Sequence, residues 1–422
     1  MTILFLVACV MAALSLGTLA FRPRNGIILL LISMPVIATT WEFRFAGTSL
    51  IQITYGLAVP LLLLRRKPMP SCFPDSWTAC AWCIFGANVL GLIWAPLFYD
   101  AGMMEIVATV LVALNLLMGF FMFPMFFTTR NDFRLLLATL MISGIFPTVI
   151  SLYQAMTGVV WQERMIMGLL RYDGLYHDSV ACRIFIFPAL FAAVIGYLGK
   201  FFRGFWLRLI MMFYILALLV ALYNLSSRAV FGILAVWSIG LTALYRRWAF
   251  GLSVIAVVCL VNYYYDNFLF DRIEFLLSKE IAIQEGEMEN KYFLSGRGML
   301  WREHLEEFDQ FGPFAYLFGA GWLVPAHNEF IRIFFVSGLT GVFLFAGSIL
   351  RLLAGCIPKL PRRELPQVAA FLLLCSFLID CIGVTTGGYP SYNWFLWGML
   401  GMLLFQGNQF FLIDSEEDTQ KE

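Results

Sequence analysis

The chain has 422 residues, 61% of them hydrophobic and only 13% charged, with a mean hydropathy of +0.82. Water-soluble domains are about 45–50% apolar and about 25% charged, so a soluble fold is excluded and the solvent has to be lipid. A formal net charge of +1 leaves no basic field for nucleic acid, while 42 Phe and 12 Trp suit lipid-facing surfaces and interfacial belts.

In chain order, Met1–Ala20 is apolar and lacks the positively charged region of a cleaved leader, so it is expected to remain as a helix. A span needs about 20 mostly apolar residues. That rule places spans near 2–21, 26–41, 48–64, 78–98, 104–127, 135–158, 180–199, 206–224, 229–245, 248–265, 327–350, 367–386 and 393–413. The expected fold class is all-α, a polytopic transmembrane helical bundle of about 12–13 spans. Residues 1–265 hold the first ten spans, 266–326 form a long polar loop, 327–413 hold the last three, and 414–422 are a short acidic tail. Gly232, Gly240, Gly338 and Gly341 are expected to let helices approach closely. Of nine cysteines all but Cys72 fall in or beside apolar runs. Cys80 and Cys83 form a CxxC with no partner ligands at a second site, so they read as small buried hydrophobes.

The charges between spans orient the bundle. Alternate loops carry Arg22 and Arg24, Arg65 to Lys67, Arg130 and Arg134, Lys200 to Arg208, Arg246 and Arg247, and Arg351 to Arg363. The positive-inside rule puts these loops in the cytoplasm, which leaves the long loop 266–326 on the outer face. Within that loop Leu300, Trp301, Leu305 and Phe308 recur at helical spacing, as in short amphipathic helices lying over a membrane domain.

Ionisable residues in or at the ends of spans are costly and usually mark a functional path. The outer ends hold Arg171 in Arg171-Tyr-Asp-Gly-Leu-Tyr-His177, Arg183, Arg228 after Ser226-Ser227, Arg297 and Arg302 in Arg297-Gly-Met-Leu-Trp301-Arg302, and His327 and Arg332 in His327-Asn-Glu-Phe-Ile-Arg332. Guanidinium forks bind diphosphate oxygens bidentately and keep their charge, so arginines at a lipid–water boundary suit a diphosphate and can stabilise it as a leaving group. No Asp-rich pair or His/Cys set with metal-ligand spacing is visible on this face, so neither a metal site nor a cofactor is indicated. For Arg44, Arg164 and Arg332 taken singly, snorkelling at the interface is the simpler account. His327 follows the turn Gly319-Ala-Gly-Trp-Leu-Val-Pro-Ala and opens an apolar helix. A neutral imidazole there could accept a proton from a sugar hydroxyl, or simply hydrogen-bond the fold.

Gly319-x-Gly321, His327-Asn328 and then Gly338-Leu-Thr-Gly341 resemble the signature of the O-antigen ligase and O-antigen polymerase family. Ser227-Arg228 resembles that family's short Ser-Arg turn, Arg297 with Trp301 its Arg…Trp loop element, and Arg171-x-x-Gly174 its earlier Arg-x-x-Gly loop. Where the family often continues with Pro-Asn, this chain reads His177-Asp-Ser, and Arg183 has no counterpart. The resemblance covers residues 165–350 at motif level and the whole chain in topology. It implies a glycosyltransferase of the bacterial inner membrane, multi-pass, with its active site and long loop in the periplasm. It implies an undecaprenyl-diphosphate-linked glycan as donor, membrane lipids and polysaccharide assembly proteins as partners, and neither metal nor nucleotide sugar. Arg171, Arg228, Arg297 and Arg302 would then bind the donor diphosphate, with His327 and Arg228 catalytic. The favoured activity is polymerisation of exopolysaccharide or O-antigen units. A ligase acting on a lipid A core or protein is the alternative, and a lipid-linked glycan flippase the second.

Overall fold

The computed structural model describes residues 2–45, 48–65, 75–99, 101–161, 165–166, 169–225, 227–245, 274, 277–278, 281–286, 289, 297–324, 326–357 and 364–411. The expected span 248–265 lies outside the described residues. The rest form an all-α bundle in which eight helices are long and apolar enough to cross a membrane, and three more apolar helices are shorter.

Helices α1 (Thr2–Phe21) and α2 (Pro23–Ala38) make a tight hairpin with only Arg22 between them. Pro23 opens α2, where its missing N–H costs nothing. A Cβ at Gly26 would fall 2.5 Å from the Leu19 nitrogen, so glycine permits this approach. A two-residue ladder, β1 (Arg44–Phe45) with β2 (Thr48–Ser49), then leads into α3 (Leu50–Leu64). The expected span 78–98 runs as α4 (Asp75–Val89), tightens through a 3-10 turn at Leu90–Ile93, and ends in α5 (Ala95–Phe98). Next come α6 (Met103–Phe126) and α7 (Arg130–Thr157). Thr129 caps α7 by accepting from the Asp132 amide at 3.1 Å, and Gly158 closes it at φ 68°. A second ladder, β3 (Met165–Ile166) with β4 (Leu169–Leu170), precedes α8 (Ser179–Leu198), α9 (Phe205–Asn224) and α10 (Arg228–Tyr245).

The described part of the polar loop includes an amphipathic helix, α11 (Arg297–Phe308), and a short apolar one, α12 (Gly312–Phe318), followed by α13 (Glu329–Cys356), α14 (Leu365–Gly383) and α15 (Pro390–Phe411). From Arg297 on, the described part of the loop packs onto the bundle. Phe308, Ala315, Ala320 and Ala326 pack with Phe335 of α13 in an apolar cluster of their own.

Two helices sit at the centre. The α8 span is 89% buried, against 22% for α1 and α9, which face lipid. Helix α15 buries Trp394, Trp397 and Leu400 and packs along α6 in the most extensive helix pairing. Gly119, Gly398 and Gly401 allow that approach, and Trp394 donates from Nε1 to Asn115 at 2.7 Å within it. Gly240 and Gly341 likewise sit where a neighbouring helix comes close, against Leu372 and Ala87. The described cysteines, Cys80 and Cys83 among them, are free thiols.

Helix α13 is broken rather than continuous. Gly338 adopts φ 63°, ψ −163°, a region open essentially to glycine alone. The carbonyls of Phe335 and Val336 beside the break accept from the amides of Ala320 (3.1 Å), Gly321 (3.1 Å) and Trp322 (3.3 Å). Trp94 Nε1 and the Tyr99 hydroxyl donate to the carbonyls of Gly319 and Gly321, both at 2.6 Å. The glycines of the 319–321 turn therefore serve to bring its backbone onto a discontinuous helix.

Candidate functional site

Arg171 stands in a segment, 171–178, that is bolted to the end of α7. Gln154 pairs with both backbone groups of Gly174, donating at 3.1 Å and accepting at 2.8 Å, and Ser151 donates to the Tyr172 carbonyl at 2.9 Å. Gly174 takes φ 70°, and the Tyr176 hydroxyl reaches across to the Pro35 carbonyl at 2.9 Å. Asp178 caps α8 by accepting from the Ala181 amide at 2.6 Å, and Arg171 donates to Ser179 at 3.2 Å. The Tyr172 amide meets the Asn224 carbonyl at 3.5 Å, which joins this segment to the turn that leads into Arg228 at the head of α10.

Arg297 opens α11, and its guanidinium lies against the end of α14, where a Cβ on Gly383 would be 3.3 Å from Nη1. Trp301, one turn on, donates to the Ala326 carbonyl at 2.6 Å and so fastens α11 to the residue preceding His327. His327 itself is held at φ 49°, an unusual left-handed conformation for a residue with a Cβ. Asn328 accounts for the constraint, because it caps α13 through the Ile331 amide at 3.1 Å while donating to the Ile382 carbonyl at 3.2 Å.

The electrostatics knit these residues together. Burial lowers the pKa of Arg171, as do the charges of Arg228 and Arg297, against the opposing pull of Asp173 and Asp178. Burial and Arg228 lower Arg297. Burial and then Arg297 push the His327 imidazole below its ordinary range, with Asp178 opposing. Four segments distant in sequence thus bring three guanidinium groups into one field beside an imidazole kept neutral. At Arg171 the carboxylates of Asp173 and Asp178 outweigh the two guanidiniums, whereas at Arg297 the Arg228 charge is a cost that a bound anion would relieve.

Arg302 does not join them. It lies five residues after Arg297 on the same helix, about 140° around its axis at 100° per residue, and is exposed. His177 pairs with Asp178 at 3.1 Å and packs 5.6 Å from Trp41, while His304 packs against Trp322 and Phe335. Arg44 is exposed in its hairpin, and Arg164 and Ser226 lie outside the described residues.

Two ion pairs among the described residues were not foreseen. Arg332 is no snorkelling side chain: it donates to the buried Glu329 at 2.5 Å and 3.0 Å and also contacts Asn88 of α4. Glu329 in turn accepts from the Gly387 amide at 3.1 Å. Its one sequence signal was a carboxylate in the first turn of an apolar helix. Arg183 is buried in an ion pair with Asp380 at 2.6 Å, and Tyr392 donates to the other carboxylate oxygen at 2.7 Å.

No family model and no curated protein matches this chain. The reading of the site therefore stands on its geometry and on the motif resemblance. Chemically, the set offers permanent cations for a phosphate-bearing ligand and a neutral nitrogen base in the same field.

Proposed function

We propose that the protein is a membrane glycosyltransferase of the O-antigen ligase and polymerase type. The transfer runs from an undecaprenyl-diphosphate donor to an acceptor hydroxyl on the periplasmic face of the bacterial inner membrane, and its product is a polymer of exopolysaccharide or O-antigen units. The observation that carries this reading is that Arg171, Arg228 and Arg297 act on one another's charge while Arg297 also acts on His327, whose pKa is lowered. In the step proposed, the acceptor oxygen forms a bond to the donor's anomeric carbon as the bond from that carbon to the phosphate oxygen breaks. The hydroxyl proton passes to His327, and the arginines stabilise the charge developing on the departing lipid diphosphate. Membrane lipids surround the donor chain, and other polysaccharide assembly proteins are its expected neighbours.

The test is a gene deletion complemented with wild type or His327→Ala, followed by analysis of the undecaprenyl-linked glycans. Accumulation of single repeat units with no long chains is expected. Long lipid-linked chains that never reach a final acceptor would instead identify a ligase. An undisturbed pool in both strains would sink the transferase reading, and repeat units trapped on the cytoplasmic leaflet would identify a flippase.

A further inference from the structure

The end of the bundle that carries the basic set also holds an open cavity of about 500 Å3 that none of Arg171, Arg228, Arg297 and His327 lines. Its polar wall comes from Gln52, Asn88, Glu105, Thr109, Arg332 and Thr385, supplied by α3, α4, α6, α13 and the turn after α14. Cavity and basic set are linked along the chain: Leu323 and Val324 of the cavity lie in the segment that leads to His327, and Gly387 and Gly388 lead into Tyr389, which feels the charge of Asp178 near Arg171.

The charge of this cavity differs in kind from that of its neighbour. Its guanidinium is already engaged, since Arg332 is held by Glu329 and Asn88. Glu105 adds an exposed carboxylate, so the described lining carries one charge of each sign. A diphosphate would find the lining guanidinium already held and a carboxylate in the same wall, so the cavity suits a neutral ligand. What the wall offers is amide, carboxylate and hydroxyl groups that pair with adjacent hydroxyls, interleaved with small apolar patches at Val112, Leu323 and Val324. Cavities of about 300–1,000 Å3 hold small ligands.

We propose that this cavity binds neutral sugar residues and presents the hydroxyl-bearing end of the acceptor glycan to His327. The acceptor role rests on the function proposed above; the binding of a neutral glycan does not. The probe is the neutral oligosaccharide released by mild acid from the cell's own lipid-linked pool, free of lipid and phosphate. Equilibrium dialysis against the purified full-length protein should show saturable binding. Thr109→Phe, which fills the cavity, should weaken it at least tenfold, and Arg297→Ala should leave it unchanged. Undecaprenyl diphosphate should show the reverse pattern, lost in Arg297→Ala and kept in Thr109→Phe, which also shows that the filled protein folds. Should Thr109→Phe lose both ligands, the exposed rim change Glu105→Gln decides, because it must weaken oligosaccharide binding alone, at least threefold. The proposal is overturned if wild type does not bind the oligosaccharide, if Thr109→Phe leaves that binding intact, or if Glu105→Gln fails that test. Wild type that binds the oligosaccharide but not undecaprenyl diphosphate would overturn the transferase reading and leave the cavity a glycan site.

Discussion

Burial and the Arg297 charge both press the His327 imidazole toward its neutral form, so its titration falls below the ordinary histidine value near 6.5. If neutral His327 is the base, transfer is lost as pH falls through that lowered pKa and is flat above it. Arg297→Gln removes a cation that disfavours protonation, so the acid limb of the rate profile should move up toward 6.5. The check is kcat/KM for glycan transfer measured from pH 5 to 8, and a limb that stays put would remove Arg297 from the field at His327. His327→Ala should lower kcat by about 10²–10⁴-fold and abolish the limb. Arg302→Ala, by contrast, should leave donor binding unchanged, since that side chain is exposed on the far side of α11. Residue type and loop position singled out Arg171, Arg228, Arg297 and His327 as candidates together with Arg302. They could not separate Arg297 from Arg302, because that choice depends on the rotational phase of a helix. Nor could they show that Arg332 turns inward, which depends on where Asn88 of another helix lies.

At the scale of elements, the broken helix α13 explains the glycines around it. A Cβ at Gly338 would sit 2.5 Å from the Gly319 nitrogen and would be strained at φ 63° as well. Gly338→Ala should destabilise the protein by about 1–3 kcal/mol from backbone strain alone, more with the clash, seen as a lower unfolding temperature in detergent. Gly347→Ala is the matched control, since nothing lies within 4 Å of its added Cβ, and it should be neutral or slightly stabilising. Equal effects from the two substitutions would show that the break does not hold the helix and turn together. The sequence displayed these glycines as small residues for helix packing. Only the fold showed that Gly338 instead frees two carbonyls for the 319–322 backbone to satisfy.

At the scale of the whole molecule, one ion pair ties the central helices together. Arg183 of α8, Asp380 of α14 and Tyr392 of α15 meet with exposures of only a few per cent. Removing one partner leaves a buried charge. Arg183→Leu should therefore cost about 3–5 kcal/mol, while Arg183→Leu with Asp380→Leu should recover much of that loss. Thermal unfolding of the purified variants measures it, and a double variant no better than the single one would show that the pair itself, rather than the stranded charge, supplies the stability.

The sequence by itself determined the solvent, the fold class, the approximate ends of the described spans and the set of loops that gather at each end. It could do so because lipid admits only helices whose backbones are internally satisfied, and because apolar length and basic loops are local quantities. Tertiary structure alone decided which helices are central and which face lipid, since α1 and α8 are both apolar enough to cross a membrane but 22% and 89% buried. It also decided the break in α13, the inward Arg332, the Arg183–Asp380 pair and the cavity lined by Glu105 and Arg332. Each of these depends on contacts between segments tens to hundreds of residues apart, and no local pattern of residue types records such distances.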